Sequence, residues 1–400
     1  MTKRRAPGEG GVSEYVTARG TTTFYISYWV TDPETGRLRR KVTRGFPTKK
    51  EAHTRQRAEL GKADRGEWVD PSKEQLAAYL QTWLAGQRLR PSTLSSYKKN
   101  VRLHIAPRLG STPLARITGA QVNAWLRDLE QTGRADGAGG LSARTTRYVF
   151  TILRSALSDA VRDGRLAVNP TDRATPPTAA EARPPEMRAW TATQLRTFLG
   201  WSAGRGDDLH VVWLLLASTG MRRGEALALR WRDVDLDAAT VAVRRSVGVV
   251  KTYGAGQDIV EGPTKSGHAR VVDLDAATVA ALRGYRVERG GIALGLIRDD
   301  ALVLGAPNGL YRHPDRVSRT FRERIAQCRR ALGDDALPTC RLHDLRHTHA
   351  SLLLADGVPV KVVSERLGHA NATITLGVYQ HVMPGMGRQA ADRFAALLGG

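Results

Sequence analysis

Residues 343–379 read HDLRHTHASLLLADGVPVKVVSERLGHANATITLGVY, and this stretch decides how the C-terminal half is read. His343 and Arg346 stand three apart at the start of a predicted helix, so both lie on one face. Leu367-Gly368 closes a second helix at a glycine cap, and His369 follows at once. Tyr379 comes ten residues later. Two further stretches lie upstream. Ser218-Thr219-Gly220-Met221-Arg222-Arg223-Gly224-Glu225 is a Gly-punctuated turn ahead of a helix predicted over Ala226–Trp231, which puts Arg222 near a helix N-terminus. Thr264-Lys265-Ser266-Gly267 is a turn between strands predicted over Val241–Lys251 and Ala269–Leu274, so Lys265 projects from a hairpin. With helical patterns over Thr193–Trp201 and Leu209–Ala217, residues 187–400 read as a strand pair within a mainly helical domain of α+β type.

These residue types suit one kind of chemistry. Breaking a phosphodiester without a metal needs a nucleophile, and the crowded transition state spreads negative charge over its non-bridging oxygens. Fixed guanidinium groups stabilise that charge best, because their fork matches two phosphate oxygens. The leaving oxygen needs a proton from a positioned acid. Arg222, Lys265, His343, Arg346, His369 and Tyr379 supply these parts in chain order. A competing reading takes His343 and His347, four apart on a helix, as zinc ligands. No motif pairs a third ligand with them, and Arg346 between them would repel a cation, so neither a metal nor a cofactor is expected. His347, His349 and His381 read as packing or hydrogen-bonding residues.

The charge balance points to a polyanionic partner. The chain has 61 Lys and Arg against 39 Asp and Glu, a net +22. The excess is +7 over residues 1–73, +8 over 74–180 and +7 over the rest, so each part is able to meet phosphate on its own. Two cysteines, Cys328 and Cys340, are too few for a disulfide framework. With no apolar run behind the basic N-terminus and none long enough to span a bilayer, a cytoplasmic protein free of membrane is expected.

Residues 1–73 read as a small α+β domain. Phe24, Ile26 and Tyr28 alternate with polar residues, the turn Asp32-Pro33-Glu34-Thr35-Gly36 follows, and Arg37–Thr43 returns as the second strand. Thr48 to Glu51 is a capping box for a helix running to about Lys62. Arg37, Arg39, Arg40, Lys41 and Arg44 cluster on the ribbon and are candidate DNA contacts. Residues 74–180 read as all helix, with Leu76, Tyr79, Leu80, Trp83 and Leu84 on one stripe and Val122, Trp125, Leu126 and Leu129 on another. Lys98, Lys99 and Arg102 are its candidate DNA contacts. Asn169–Pro185 holds five prolines and reads as a linker.

The order Thr-Gly-Met-Arg, hairpin Lys, His-Asp-Leu-Arg-His-Thr, Leu-Gly-His and Val-Tyr-Gln-His-Val resembles the tyrosine recombinase family, the integrases of phages and mobile elements in particular. The resemblance covers about 187–385 most strongly. It implies a multidomain chain: an N-terminal arm-type DNA-binding domain (1–73), an all-α core-binding domain of SAM-like type (74–180) and a catalytic domain (187–400). It implies that Tyr379 attacks the scissile phosphate to form a 3′-phosphotyrosyl link. Arg222, Arg346 and His369 would hold the phosphate oxygens, Lys265 would protonate the leaving 5′ oxygen and His343 would help take the tyrosine proton. Glu225 would orient Arg222.

The partners implied are double-stranded DNA attachment sites, a homotetramer on DNA, an excision or directionality factor and a host DNA-bending protein. The apolar face of a helix over Gln389–Leu398 docks either on a neighbouring subunit or on its own domain. Alternatives left open by the residues are a type IB topoisomerase, a telomere resolvase and a catalytically silent DNA-binding or architectural protein.

Overall fold

The structure is a computed structural model that describes residues 10–18, 20–31, 38–64, 73–183, 187–379 and 386–398. Arg37, the turn before it and His381 lie outside the described residues. The chain packs as two compact units, Met1–Pro184 and Pro185–Gly400.

The first unit opens with an antiparallel sheet of β1 (Gly11–Val16), β2 (Thr22–Thr31) and β3 (Leu38–Phe46), with β2 in the middle. β1 is an addition to the hairpin expected from sequence. Its alternation is masked by Ser13, Glu14 and Tyr15, because one face of the sheet is not covered by any described element. The helix α1 (Lys49–Asp64) lies against the other face, where Ile26, Tyr28 and Val30 pack with Ala52. Thr48 caps α1 by accepting from the Glu51 N–H at 3.2 Å.

The helical part contains α2 (Leu76–Gly86), α3 (Pro91–Asn100), a π turn over Val101–Ile105, α4 (Ala106–Leu109), α5 (Gly119–Thr132) and α6 (Ala143–Arg162). Its tryptophans are core, and their polar ends are satisfied. Trp83 Nε1 donates to Asp159 at 2.7 Å and Trp125 Nε1 to the His104 carbonyl at 2.9 Å. Thr118 and Gln121 form a reciprocal capping box at the start of α5. Much of the proline-rich stretch is packed rather than extended. Pro170, Thr171 and Pro177 are buried, Thr175 N donates to Asn123 at 2.8 Å, and Arg147 donates to the Pro177 carbonyl at 2.5 Å. Proline fixes the backbone there without preventing burial of its ring, so composition alone overstated the linker.

The second unit begins with α7 (Ala192–Gly204), α8 (His210–Thr219) and α9 (Arg223–Leu227). Five strands follow where two were expected. β4 (Val234–Asp235), β5 (Thr240–Val243) and β8 (Arg270–Asp273) form one sheet, while β6 (Arg245–Thr252) and β7 (Gly256–Pro263) form a separate hairpin. Then come α10 (Ala276–Ile292), α11 (Pro314–Leu332), α12 (Asp344–Ala355), α13 (Val360–Leu367), α14 (Ala372–Tyr379) and α15 (Met386–Leu397). Trp190, Phe198, Trp213 and Phe321 centre its main core, and a smaller cluster of Ala350, Leu354, Val363 and Leu367 joins α12 to α13. Among the described residues, no helix is long and apolar enough to cross a membrane.

Candidate active site

The site is assembled from chain breaks rather than from helix bodies. α8 ends at Gly220, whose φ of +63° is the left-handed conformation that glycine adopts without strain. A Cβ at that position would also stand 2.7 Å from the His349 ring and 2.8 Å from Leu367. The tight fit leaves the Gly220 carbonyl facing α12, where it accepts from Arg346 Nη1 at 2.8 Å. Arg346 is only 3% exposed.

Two residues on, Arg222 is the N-cap of α9, so the helix starts at Arg223 and not at Ala226 as expected. The shift follows from Glu225, which reaches back from the third helical position. Its Oε2 accepts from the Arg222 backbone N–H at 3.0 Å, and its Oε1 accepts from Arg222 Nη1 at 2.7 Å. Glu225 is 1% exposed. Burial would raise its carboxyl, but hydrogen bonds and charge from Arg270, then Arg222, outweigh it and hold the group below the usual carboxylate range. Arg222 Nη2 also reaches the Gly368 carbonyl at 3.4 Å.

Gly368 terminates α13 in the left-handed region, φ +68°, and hands the chain to His369. His369 Nδ1 lies 2.8 Å from the hydroxyl of Thr375, a buried residue of α14. Burial, then the charges of Arg346 and Arg222, push the His369 imidazole down to about 4. His343 is the N-cap of α12, whose first turn is fixed by Asp344 accepting from the Arg341 N–H at 2.7 Å. The outer edge of His343 is open to solvent. Crowding on its inner side, then His347 and Arg346, push it down to about 4 as well. The His343 and His347 rings meet edge to face at 5.0 Å. Among the described residues, no group of three His, Cys, Asp or Glu is placed to hold a metal ion.

Arg222, Glu225, Arg346 and His369 are thus joined through the Gly220 and Gly368 turns, with His343 one turn of α12 from Arg346. Lys265 is not hydrogen-bonded to these residues. It is exposed in the turn Thr264–Gly267, which joins β7 to β8 rather than the two strands expected, and it forms no ion pair with the described residues. Tyr379 is the last residue of α14, and its side chain lies outside the described part.

The basic cluster of the N-terminal sheet divides between two faces, because successive strand residues point to opposite sides. Arg40 and Arg44 pair with Trp29 and Tyr25 on the open face, and the Arg44 guanidinium lies 5.9 Å from the Tyr15 ring centre. Arg39 and Lys41 pair with Val30 and Tyr28 on the side of α1. Lys98, Lys99 and Arg102 are exposed along α3 and the π turn.

Sequence reasoning missed three residues that support the site, Thr375, Arg366 and Arg270, while a fourth, His349, is the buried hydrogen-bonding residue it was read as. Thr375 holds His369. His349 donates from Nδ1 toward the Ala217 carbonyl at 2.8 Å and accepts from Arg366 Nε at 3.1 Å. Arg366 further donates to the carbonyls of Ser218 and Asp273, both at 2.9 Å. Arg270 pairs with Glu225 at 2.7 Å. Only Arg270 left a signal, since strand phase places it on the same side as the buried Val272.

Likeness to known proteins follows the same division of the chain. The phage integrase family matches residues 194–385, the N-terminal SAM-like domain of phage integrases matches 75–129, and the arm DNA-binding domain matches 13–55. A protein named tyrosine recombinase XerC-like, from Caldanaerobacter subterraneus subsp. tengcongensis, is 26% identical over 384 residues, covering 91% of this chain and 94% of the relative. The Tn1549 transposon integrase in complex with a circular intermediate DNA shares the fold at a TM-score of 0.65 and 22% identity, over 80% of this chain and 99% of that one. A lambda integrase tetramer bound to a Holliday junction shares it at 0.51 and 18%, over 90% and 96%.

Fold and family matches define a DNA strand-transfer enzyme with an arm domain, a helical domain and a catalytic domain. The chain belongs to the phage integrase family. It is a tyrosine site-specific recombinase of the lambda-integrase type, an enzyme that integrates or excises a mobile element.

Proposed function

We propose that this recombinase cuts each strand by attack of the Tyr379 phenolic oxygen on the scissile phosphorus. A phosphorus–oxygen bond to the tyrosine forms, the bond to the 5′ oxygen breaks, and the 3′ end is left on the protein. His343 takes the phenolic proton, for which a neutral imidazole at physiological pH is suited. Lys265 delivers a proton to the departing 5′ oxygen. Arg222, Arg346 and His369 hold the non-bridging oxygens, and Glu225 orients Arg222. The covalent link conserves the bond energy, so the reverse attack by a new 5′-hydroxyl rejoins DNA without a nucleotide cofactor.

The observation that carries this reading is the pair of arginines pinned from behind. Arg346 by Gly220 and Arg222 by Glu225 are oriented before any phosphate arrives, so little reorganisation is needed when charge develops. Arg346→Lys keeps the charge and loses the planar fork. It is expected to slow cleavage at least about a hundredfold while leaving duplex binding within a few-fold. Cleavage at the wild-type rate would remove Arg346 from the phosphate site.

The substrate is a pair of double-stranded attachment sites. The open arm face with Arg40 and Arg44, together with Lys98, Lys99 and Arg102, supplies phosphate contacts outside the reaction centre. Two duplexes require four cleavages, so the working form is a tetramer. Phe394 and Leu397 on α15 and Leu398 just after it are 63%, 83% and 72% exposed, which favours docking on a neighbouring subunit over packing on the helix's own domain. A directionality factor and a DNA-bending host protein would set the direction of reaction. The DNA substrate places the protein with the nucleoid in the cytoplasm.

A further inference from the structure

Arg270 sits where several parts of the site meet. It opens β8, five residues after Lys265. Its Nη2 lies 2.7 Å from Glu225 Oε2, and its Nε donates to the Arg366 carbonyl at 2.9 Å. The guanidinium lies so close to Gly368 that a Cβ there would stand 2.9 Å from Nη1. The side chain is 10% exposed, and Nη1 is buried without a hydrogen-bond partner among the described residues.

Stability does not explain such an arginine. Desolvating a guanidinium costs about as much as a buried ion pair returns, and an apolar residue of similar size often serves as well. The reason lies with Glu225. That carboxylate orients Arg222, but it also sets a full negative charge 2.7 Å from the guanidinium that meets the phosphate. Alone, Arg222 and Glu225 form a pair of no net charge. With Arg270 the group of three carries +1, and in a buried setting each unit of charge acts strongly.

We infer that Arg270 is a positioning residue for strand cleavage: it cancels the charge of Glu225 so that Arg222 meets the scissile phosphate as a full cation, and it ties the strand after Lys265 to the Gly368–His369 turn. The inference rests on the role proposed above for Arg222. Arg270 is also the strongest attractive influence on the Glu225 carboxyl and one of the charges facing His369.

The test uses the full-length protein and a nicked duplex on which wild type forms a Tyr379-dependent covalent adduct. Wild type, Arg270→Gln, Glu225→Gln and the double variant are compared for adduct rate, with mobility-shift binding and Tm measured on the same preparations. Arg270→Gln is expected to cleave about a hundredfold more slowly while binding DNA within a few-fold. The double variant, lacking both charges, is expected to recover at least about tenfold over Arg270→Gln, or some 1.4 kcal/mol. A merely structural role gives no such recovery, because deleting a second buried partner does not repair a damaged core.

Wild-type cleavage by Arg270→Gln, or a double variant no faster than it, would overturn the inference. Should Arg270→Gln fail to fold, Arg270→Lys decides: retained charge predicts cleavage within about tenfold of wild type, and a loss beyond a hundredfold contradicts it. A wild-type adduct that persists in Tyr379→Phe would instead sink the site assignment on which the inference stands.

Discussion

The histidines set how this site responds to pH. An ordinary imidazole titrates near 6.5, whereas His343, His349 and His369 are all held down to about 4 by burial and neighbouring cations. They are neutral in the folded protein at pH 7, which suits the roles proposed for His343 as proton acceptor and His369 as neutral donor. The unfolded chain binds protons on these rings from about pH 6.5 downward. Their contribution to stability is therefore complete above that pH and is lost as the pH falls through 6.5 toward 4. His349 and His369 carry most of the effect, since the His343 ring is open to solvent on one side. Thermal melts between pH 8 and 4.5 are expected to show Tm falling across that window. A flat profile would mean that the rings are not held neutral.

At the scale of elements, two left-handed turns align the site. Gly220→Ala forces a side chain into a left-handed backbone and into the His349 and Leu367 side chains, 2.7 and 2.8 Å away. A loss of about 2 kcal/mol or more is expected, with cleavage falling further because the Gly220 carbonyl holds Arg346. Chemical denaturation and adduct rates check it, and an unchanged stability would contradict the geometry. Both turns were legible in the sequence, since in Thr-Gly-Met-Arg and Leu-Gly-His a glycine ends a helical pattern within two residues of an arginine or a histidine. The helices were legible too, from their apolar stripes and from the capping box of Thr48 with Glu51. The strands were less so: β7 is mostly exposed and Gly-rich at its ends, so it lacks the alternation that marks β5. Arg270, Arg366 and Thr375 act through partners 45, 148 and 6 residues away. Such pairings follow no motif spacing in one sequence, and only Arg270 shows a phase, in step with the buried Val272 along β8.

At the scale of the molecule, the same chain must grip DNA, react with it and bind its own copies. Three cores, in the arm sheet, the helical part and the catalytic unit, let the contacting surfaces vary without disturbing Arg222 and Arg346. Removing residues 386–400 takes away α15 and the exposed Phe394, Leu397 and Leu398. Assembly on DNA, followed by gel mobility and light scattering, is then expected to stop at lower-order complexes while the monomer still cleaves. Intact tetramers would place the assembly contacts elsewhere. The most direct measurement of the whole is covalent trapping on nicked duplexes tiling the DNA that flanks the gene, comparing wild type with Tyr379→Phe. A slow-migrating protein–DNA adduct that disappears in the Phe variant, with DNA binding unchanged, is the expected result. An adduct that survives the substitution would place the nucleophile on another residue, and tight binding with no adduct on any duplex would contradict cleavage through Tyr379.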